Sequence, residues 1–540
     1  MKPISIAVAA LFASVCGGQV TANAQSLQSL SAHGLAVTGE HSHDVSPPLR
    51  DVPSLGRLVS NSPDRPLRLT GVPHSAGGGV DPGLQSNPLP LIGATNFLNF
   101  AGVGDGDYGF TPNAAPPDTN GAVGATQYVQ WVNESFAVFN KTTGAIAAGF
   151  PKTGNTLWAG FTNPDGTASN CATRNDGDPI VAYDKAAGRW VLTQFSVPSG
   201  GPYEQCVAVS TTSDATGSYY RYSFSYGATQ FNDYPKLGVW PDAYYITYNI
   251  FNNASTFAGA KLCAFDRAKM LTGAAATQHC FQLSTSYGGV LPPDLDGATA
   301  PPAGAPAPFL NFTSNALNLW RFHVDFTTPA NTTLTSPVNI PVNAFTEACG
   351  GGTCIPQPGT NNQLDSLADR LMFRLAYRNF TGHESLVVNH SIKVSGSKRS
   401  EVDGIRWYEL RSVTSGTPVV FQQGTYAPGD GTSRWMGSMA MDKVGNIAVG
   451  YSASSSSVYP SIRFAARAAV DAPGSLGTEA SLLSGTGAQT GTLHRWGDYS
   501  ALTLDPTDDC TFFYTTEYQK SNGSFNWSTR IASFKLAGCQ

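Results

Sequence analysis

The chain has 540 residues and a net charge of −5, and only 13% of its residues are charged, against roughly 25% in an average soluble protein. Its 57 glycines, 36 prolines and 11% aromatics disfavour a helical protein, which would need Glu, Lys, Ala and Leu on its solvated faces, and favour many short strands joined by turns. That charge leaves no electrostatic footprint for nucleic acid or an anionic membrane.

At the N-terminus Lys2, the apolar run Ile4 to Val15 and the small-residue site Ala22-Asn23-Ala24 read as a secretory signal over residues 1–24, cut before Gln25. Cys16 follows Val15, a poor context for lipidation. No later stretch offers the ~20 apolar residues of a membrane span. Residues 25–95 are rich in Ser, Pro, Gly and Leu without sustained periodicity, which predicts a flexible leader. Its "GEHSHD" holds His41 and His43, either a weak metal site or incidental histidines.

From residue 96 a polar turn and a strand-like run recur. Units start at Pro116, Asp176, Asn232, Leu295, Asp365 and Ser433, and the seventh is "RWGDYSALTLDPTDDCTFFYTTEY" from Arg495. "VAYDKAAGRWVLTQFS", "MAMDKVGNIAVGYS" and "LTLDPTDDCTFFYTTEY" share one grammar of strand, acidic turn and strand. Asp184, Asp442 and Asp505 open the turn, where a carboxylate can cap backbone N–H groups. Seven units with room for about four strands each predict an all-β, seven-bladed β-propeller over residues 96–540. An array of β-sandwiches is the structural alternative.

Setting Cys16 aside leaves eight cysteines in sequence pairs, Cys171/Cys206, Cys263/Cys280, Cys349/Cys354 and Cys510/Cys539. An even number in an oxidising compartment reads as disulfides, although eight cysteines allow 105 pairings. No zinc spacing appears. "GDGDYG" matches a dinucleotide fingerprint but runs into "FTPNAAPPD", which cannot form the phosphate-capping helix. No GxSxG, HExxH or P-loop occurs. No cofactor or metal is expected, except that "DGD" and "DPTDD" could take structural calcium without completing an EF-hand.

"PPDTNGAVG", "GDPIVAYD", "DYPKLGVWPDAYY", "DRLMFRLAYRNF" with "HESLVVNHS", and "RWGDYS" together resemble a family of secreted bacterial propellers described as sialidase-like. The resemblance covers residues 96–540 and implies fold and export rather than an activity. The nearest match to a sialidase Asp-box, "SNGSFNW", is degenerate. Arg370, Arg374, Arg378, Arg434 and Arg495 could supply a sialidase's arginines and Tyr234 or Tyr499 its phenol, but no motif assigns them.

In a propeller the turns that lead into the innermost strands meet at one face. Candidate acid–base residues are Asp118, Asp178, Asp498, Tyr499 and His390. Candidate ligand contacts are Asp233, Tyr234, Lys236, Arg370, Arg378, Arg434, Trp435, Arg495 and Trp496, with Asp296 and Asp369 in the same ring. Carboxylates, guanidiniums and aromatics together suit a hydroxyl-rich or anionic ligand; the bland reading is that they tie blades together. His383 and His390 lie seven residues apart, on opposite faces of one strand. His390 is either a general base or a buried, hydrogen-bonded histidine. The expected protein is a secreted, extracellular or periplasmic monomer that binds and cleaves glycans as a glycoside hydrolase or polysaccharide lyase. The alternative is a non-catalytic propeller that binds glycans or proteins at the cell surface.

Overall fold

The computed structural model describes residues 29–30, 34–55, 69, 72–74, 81–90, 92–397 and 400–540. The expected signal segment, residues 1–24, lies outside them. The acidic turns form as their chemistry dictates. Asp184 Oδ1 accepts from the Ala187 N–H, Asp442 Oδ1 from Val444 and Asn446, and Asp505 Oδ1 from Thr507. Each carboxylate thereby fixes a hairpin turn and the register of its two strands.

Seven strands run along the axis: β1 (Asn120–Val123), β2 (Ile180–Asp184), β3 (Gln230–Val239), β4 (Pro293–Asp296), β5 (Met372–Phe380), β6 (Ser433–Met441) and β7 (Ala501–Leu504). All but β4 begin a separate antiparallel sheet that spreads outward. Neighbouring axial strands touch in the order β1, β2, β3, β4 with β5, β6, β7 and back to β1. The protein is therefore a closed all-β propeller. Because each blade is covered on both faces, its middle strands are buried nearly throughout. Arg189–Ser196, for example, is buried at every position after the first. Continuous burial replaces the alternation of a half-exposed sheet.

The ring has six blades among the described residues, not the seven expected. The unit beginning near Leu295 does not build its own blade, because β4 is short and pairs in parallel with β5. The chain then leaves the axis and makes a separate sheet from Ala307–Thr313, Ala316–His323, Thr333–Leu334 and Val338–Pro341. That sheet is a wedge between the third and fourth blades. Phe309 and Phe322 pack at 5.3 Å from Tyr245 of the third blade, in a cluster that also holds Leu386 and Tyr408 of the fourth.

The segment before the ring also departs from expectation. Far from a leader outside the ring, its described parts extend three blades. Ser42–Val45 adds an edge strand to the second blade and Leu35–Gly39 to the third. Leu84–Gln85 pairs with the fourth, and Ala94–Ala101 with the Trp527–Leu536 strand of the sixth. That last strand falls mostly within the expected ring, and its pairing joins the first and last segments of the ring in one blade. All four disulfides join the sequence-adjacent pairs, Cys171–Cys206, Cys263–Cys280, Cys349–Cys354 and Cys510–Cys539.

Candidate functional site

At the mouth of the axis one residue in five of the blades takes a left-handed backbone just before or within its axial strand. These are Asp118, Asp178, Tyr234, Met436 and Asp498, with φ of 45°, 46°, 55°, 54° and 58°. Asp tolerates this conformation; Tyr and Met do so rarely, and such kinks persist only where surroundings impose them. In β3 and β6 the kink coincides with a bulge. The repeated kink turns side chains of different blades towards one point.

Asp178 is the centre of that point. Tyr499 donates its phenol O–H to Asp178 Oδ2 at 2.9 Å. Lys236 lies beside them, its Nζ 3.4 Å from the Tyr234 ring centroid and 3.6 Å from that of Tyr499, donating to the Pro235 carbonyl at 2.8 Å. The Arg370 guanidinium covers Tyr234 at 4.4 Å, and Tyr234 and Tyr499 meet edge to face at 5.5 Å. Lys236 is 0% exposed and Asp178 7%. Burial pushes the Asp178 carboxyl up, partly offset by the Lys236 charge and the Tyr499 hydrogen bond. Burial likewise pushes the Lys236 ammonium well down, against the pull of Asp178. Both partners are driven towards their neutral forms, a state that favours proton exchange between them.

A second carboxylate sits alongside. Arg495 pairs with Asp498, and its Nε lies 3.9 Å from Asp365. Asp498 Oδ1 is buried and has no hydrogen-bond partner among the described residues. Asp118 accepts from Asn133 at 2.8 Å, and its charge acts on both Lys236 and Tyr499. Asp233, in β3, acts on Lys236 and Arg370. The cluster thus brings together Asp118, Asp178, Asp233, Tyr234, Lys236, Arg370, Arg495, Asp498 and Tyr499.

Other candidates lie elsewhere. His390 is buried between Phe312, Phe345 and Tyr408 and bonds the Tyr408 hydroxyl at 3.0 Å. Burial holds its imidazole well below its ordinary value, so it is a neutral core histidine. His383, on the same strand, stacks on Phe380 at the surface. Arg434 is fully buried against Asp430 and Glu479, away from the cluster. Trp435 and Trp496 pack 5.9 Å apart beneath the mouth, with no face open to a sugar. Arg378 and Asp296 belong to the far end of the axis, where Arg378 pairs with Asp509 and Asp296 with Arg374 and Lys185.

Two residues, Asp365 and Glu517, escape sequence reasoning, while Asp369 joins its expected neighbour Arg370 at the mouth. Asp365 and Asp369 come from residues 345–371, a segment between the wedge sheet and β5 that covers the mouth. It contributes Ile355, Leu364 and Leu367 to the cluster of Tyr234, Trp435, Trp496 and Tyr499. Asp369 holds Arg370 by two bonds of 2.7 and 3.0 Å. Glu517 lies in the second strand of the sixth blade and accepts only the Gly497 N–H, at 2.7 Å. Gly497 suits that approach: its φ is 64°, and a Cβ there would come within 3.0 Å of Met436 Cγ. Burial pushes the Glu517 carboxyl well up. Its only sequence signal is one acid inside an otherwise buried run.

A cavity of about 290 Å³ opens at the far end, lined by Asp184, Lys185, Trp240, Arg267, Leu295 and Asp509 among others. Its charges are matched in ion pairs. Asp178, Lys236 and Glu517, each displaced from its ordinary protonation by burial, converge at the mouth, which is therefore the candidate site.

No family model and no curated protein matches the chain. Among solved structures it is similar to an α-L-arabinofuranosidase from Fusarium graminearum, at 9% identity over 82% of this chain and 99% of that one, with a TM-score of 0.38. An α-L-arabinanase from Penicillium chrysogenum gives 8% identity, 83% and 100% coverage and 0.37. A polysaccharide lyase acting on ulvan gives 10%, 83% and 97%, and 0.35. Likeness at this level speaks to neither activity nor substrate. Among the described residues, no helix is long and apolar enough to cross a membrane.

Proposed function

We propose that the chain is an exported, monomeric β-propeller that binds glycans at the mouth of its axis and cleaves them by acid–base chemistry of the glycoside-hydrolase type. The observation that carries this reading is the Asp178 carboxyl, buried, pushed up and held by the Tyr499 hydroxyl, with the charge of Arg495, the partner of Asp498, acting on it. Glycosidic cleavage needs one carboxyl protonated at working pH and another ionised. Asp178 takes the acid role, and Asp498, held by Arg495, the carboxylate role. Lys236 tunes Asp178. A lyase would use a neutral amine or phenol as base, with arginines on a uronate. It is less well supported, since Arg370 and Arg495 already face Asp369, Asp365 and Asp498.

One observation favours the non-catalytic alternative: residues 345–371 cover the mouth and supply two of those carboxylates. A panel of polysaccharides assayed for new reducing ends and unsaturated products separates the readings. The hydrolase reading expects reducing ends without unsaturated products. Asp178→Asn should lower turnover about 10²–10⁴-fold with the melting temperature nearly unchanged. Wild-type turnover that survives Asp178→Asn removes the acid assignment, and binding without any product leaves a glycan-binding propeller.

A further inference from the structure

A second cavity, of about 490 Å³, lies away from the axis where the N-terminal strand Leu35–Gly39 crosses the seam between the second and third blades. It receives Thr38 and Glu40 from the N-terminal segment, Tyr226 from the second blade, and Gln230, Lys261 and Gln278 from the third. Its one amine is unusual in its surroundings. Lys261 donates to Gln230 Oε1 at 2.5 Å and lies 5.4 Å from the Tyr226 ring centroid. Among the described residues it has no carboxylate partner, and burial lowers its ammonium to about 8. The nearest acid in the lining, Glu40, is committed elsewhere, to His43 Nδ1 at 3.0 Å and the Ala276 N–H at 2.8 Å. The other wall is a chain of neutral polar groups: Tyr226 donates to Gln278 at 3.0 Å, and Gln278 donates to Thr38 at 2.9 Å.

One cation without a counter-ion, facing hydroxyl and amide groups across a roomy polar space, matches a ligand with a single negative charge and several hydroxyls. A phosphate dianion would ask for more donors than one lysine, and an apolar ligand would leave the Lys261 charge uncompensated. We propose that this cavity binds a small polyhydroxylated carboxylate of the hexuronic-acid class, with Lys261 taking the carboxylate and the Tyr226–Gln278–Thr38 chain facing the hydroxyls. The ligand can be a free sugar acid or the uronate of a longer chain. The site stands apart from the mouth and does not rest on the activity proposed there.

The test is calorimetric titration of the full-length protein with galacturonate, with galactose as neutral control and oligogalacturonate as the chain form. Galacturonate should bind, with galactose and Lys261→Met each weaker by about tenfold, the size expected for losing a hydrogen bond to a charged group. Asp178→Asn should bind it as wild type does, which separates this site from the mouth. The other titratable groups in the lining are Glu40, His41 and Tyr226. Affinity should fall as pH rises through about 8, because Lys261 then loses its charge while the ligand keeps its own. Stronger binding of the oligomer assigns the uronate of a chain, and binding of the monomer alone assigns a free sugar acid. Acetylation mapping on the wild-type protein avoids reliance on a variant: galacturonate should shield Lys261 from acetic anhydride. No shielding, or equal affinity for galactose, overturns the proposal.

Discussion

The two ends of the axis are built from the same residue types and treat charge in opposite ways. At the far end each buried ion has its partner. Arg374 holds Asp296 with bonds of 2.7 and 2.9 Å and Asp294 with one of 2.8 Å. Arg267 holds Asp184 at 2.7 Å, and Arg378 holds Asp509 through two bonds of 2.6 Å. Burial alone would raise the Asp296 carboxyl, but Arg374 and Lys185 outweigh it and hold it below the ordinary carboxylate range. At the mouth burial wins: Asp178 and Glu517 are pushed up and Lys236 down. The far end has the features of a latch between blades. The mouth holds displaced groups that a latch does not require.

That contrast has consequences of different sizes. The largest belongs to the far end. Arg374→Met leaves Asp294 and Asp296 with only Lys185 and the more distant Arg378 as cations, and should cost roughly 3–5 kcal/mol of stability in urea unfolding. A cost under about 1 kcal/mol would mean that the far end is no latch.

The next effect is one of sign with pH. Asp296 is depressed in the folded protein, so its stabilisation is present above its unfolded value and lost as pH falls through its folded one. Glu517 is raised, so the folded state is favoured below the unfolded glutamate value of about 4.3 and loses stability as pH rises towards the folded value. Glu517→Gln should leave acid stability unchanged and flatten the slope above that point by up to about 1.4 kcal/mol per pH unit. An unchanged slope would show that Glu517 is ionised when buried, contrary to its single N–H contact.

Tyr499→Phe should give the smallest change, about 1 kcal/mol of stability for one lost hydrogen bond. It also removes a group that favours the ionised form of Asp178, so the alkaline limb of turnover, where protonated Asp178 is lost, should move to higher pH. A limb that stays in place would uncouple Tyr499 from the acid group.

Local chemistry was legible in the sequence. The turns at Asp184, Asp442 and Asp505, the strands they join and the sequence-adjacent disulfides all depend on residues close in the chain, where a carboxylate two to four positions from an N–H has few other partners. The equivalence of Asp118, Asp178 and Asp498 was legible for the same reason, since each opens a strand after a polar turn. Other features depend on pairing between distant segments. β4 reads as the start of a blade, but its fate was set by the neighbouring β5, which took it in parallel. Residues 34–55 show little periodicity because an added edge strand needs only backbone hydrogen bonds and one covered face. Arg378 and Arg434 look interchangeable in sequence, and only packing sends one to the far end and the other against Glu479. Asp365 reaches the mouth through a segment whose position no local pattern encodes. The sequence alone determined strands, turns and cysteine pairs. Tertiary structure decided the number of blades, the cover over the mouth and which charges are matched, because burial and long-range pairing fix the protonation of a buried group.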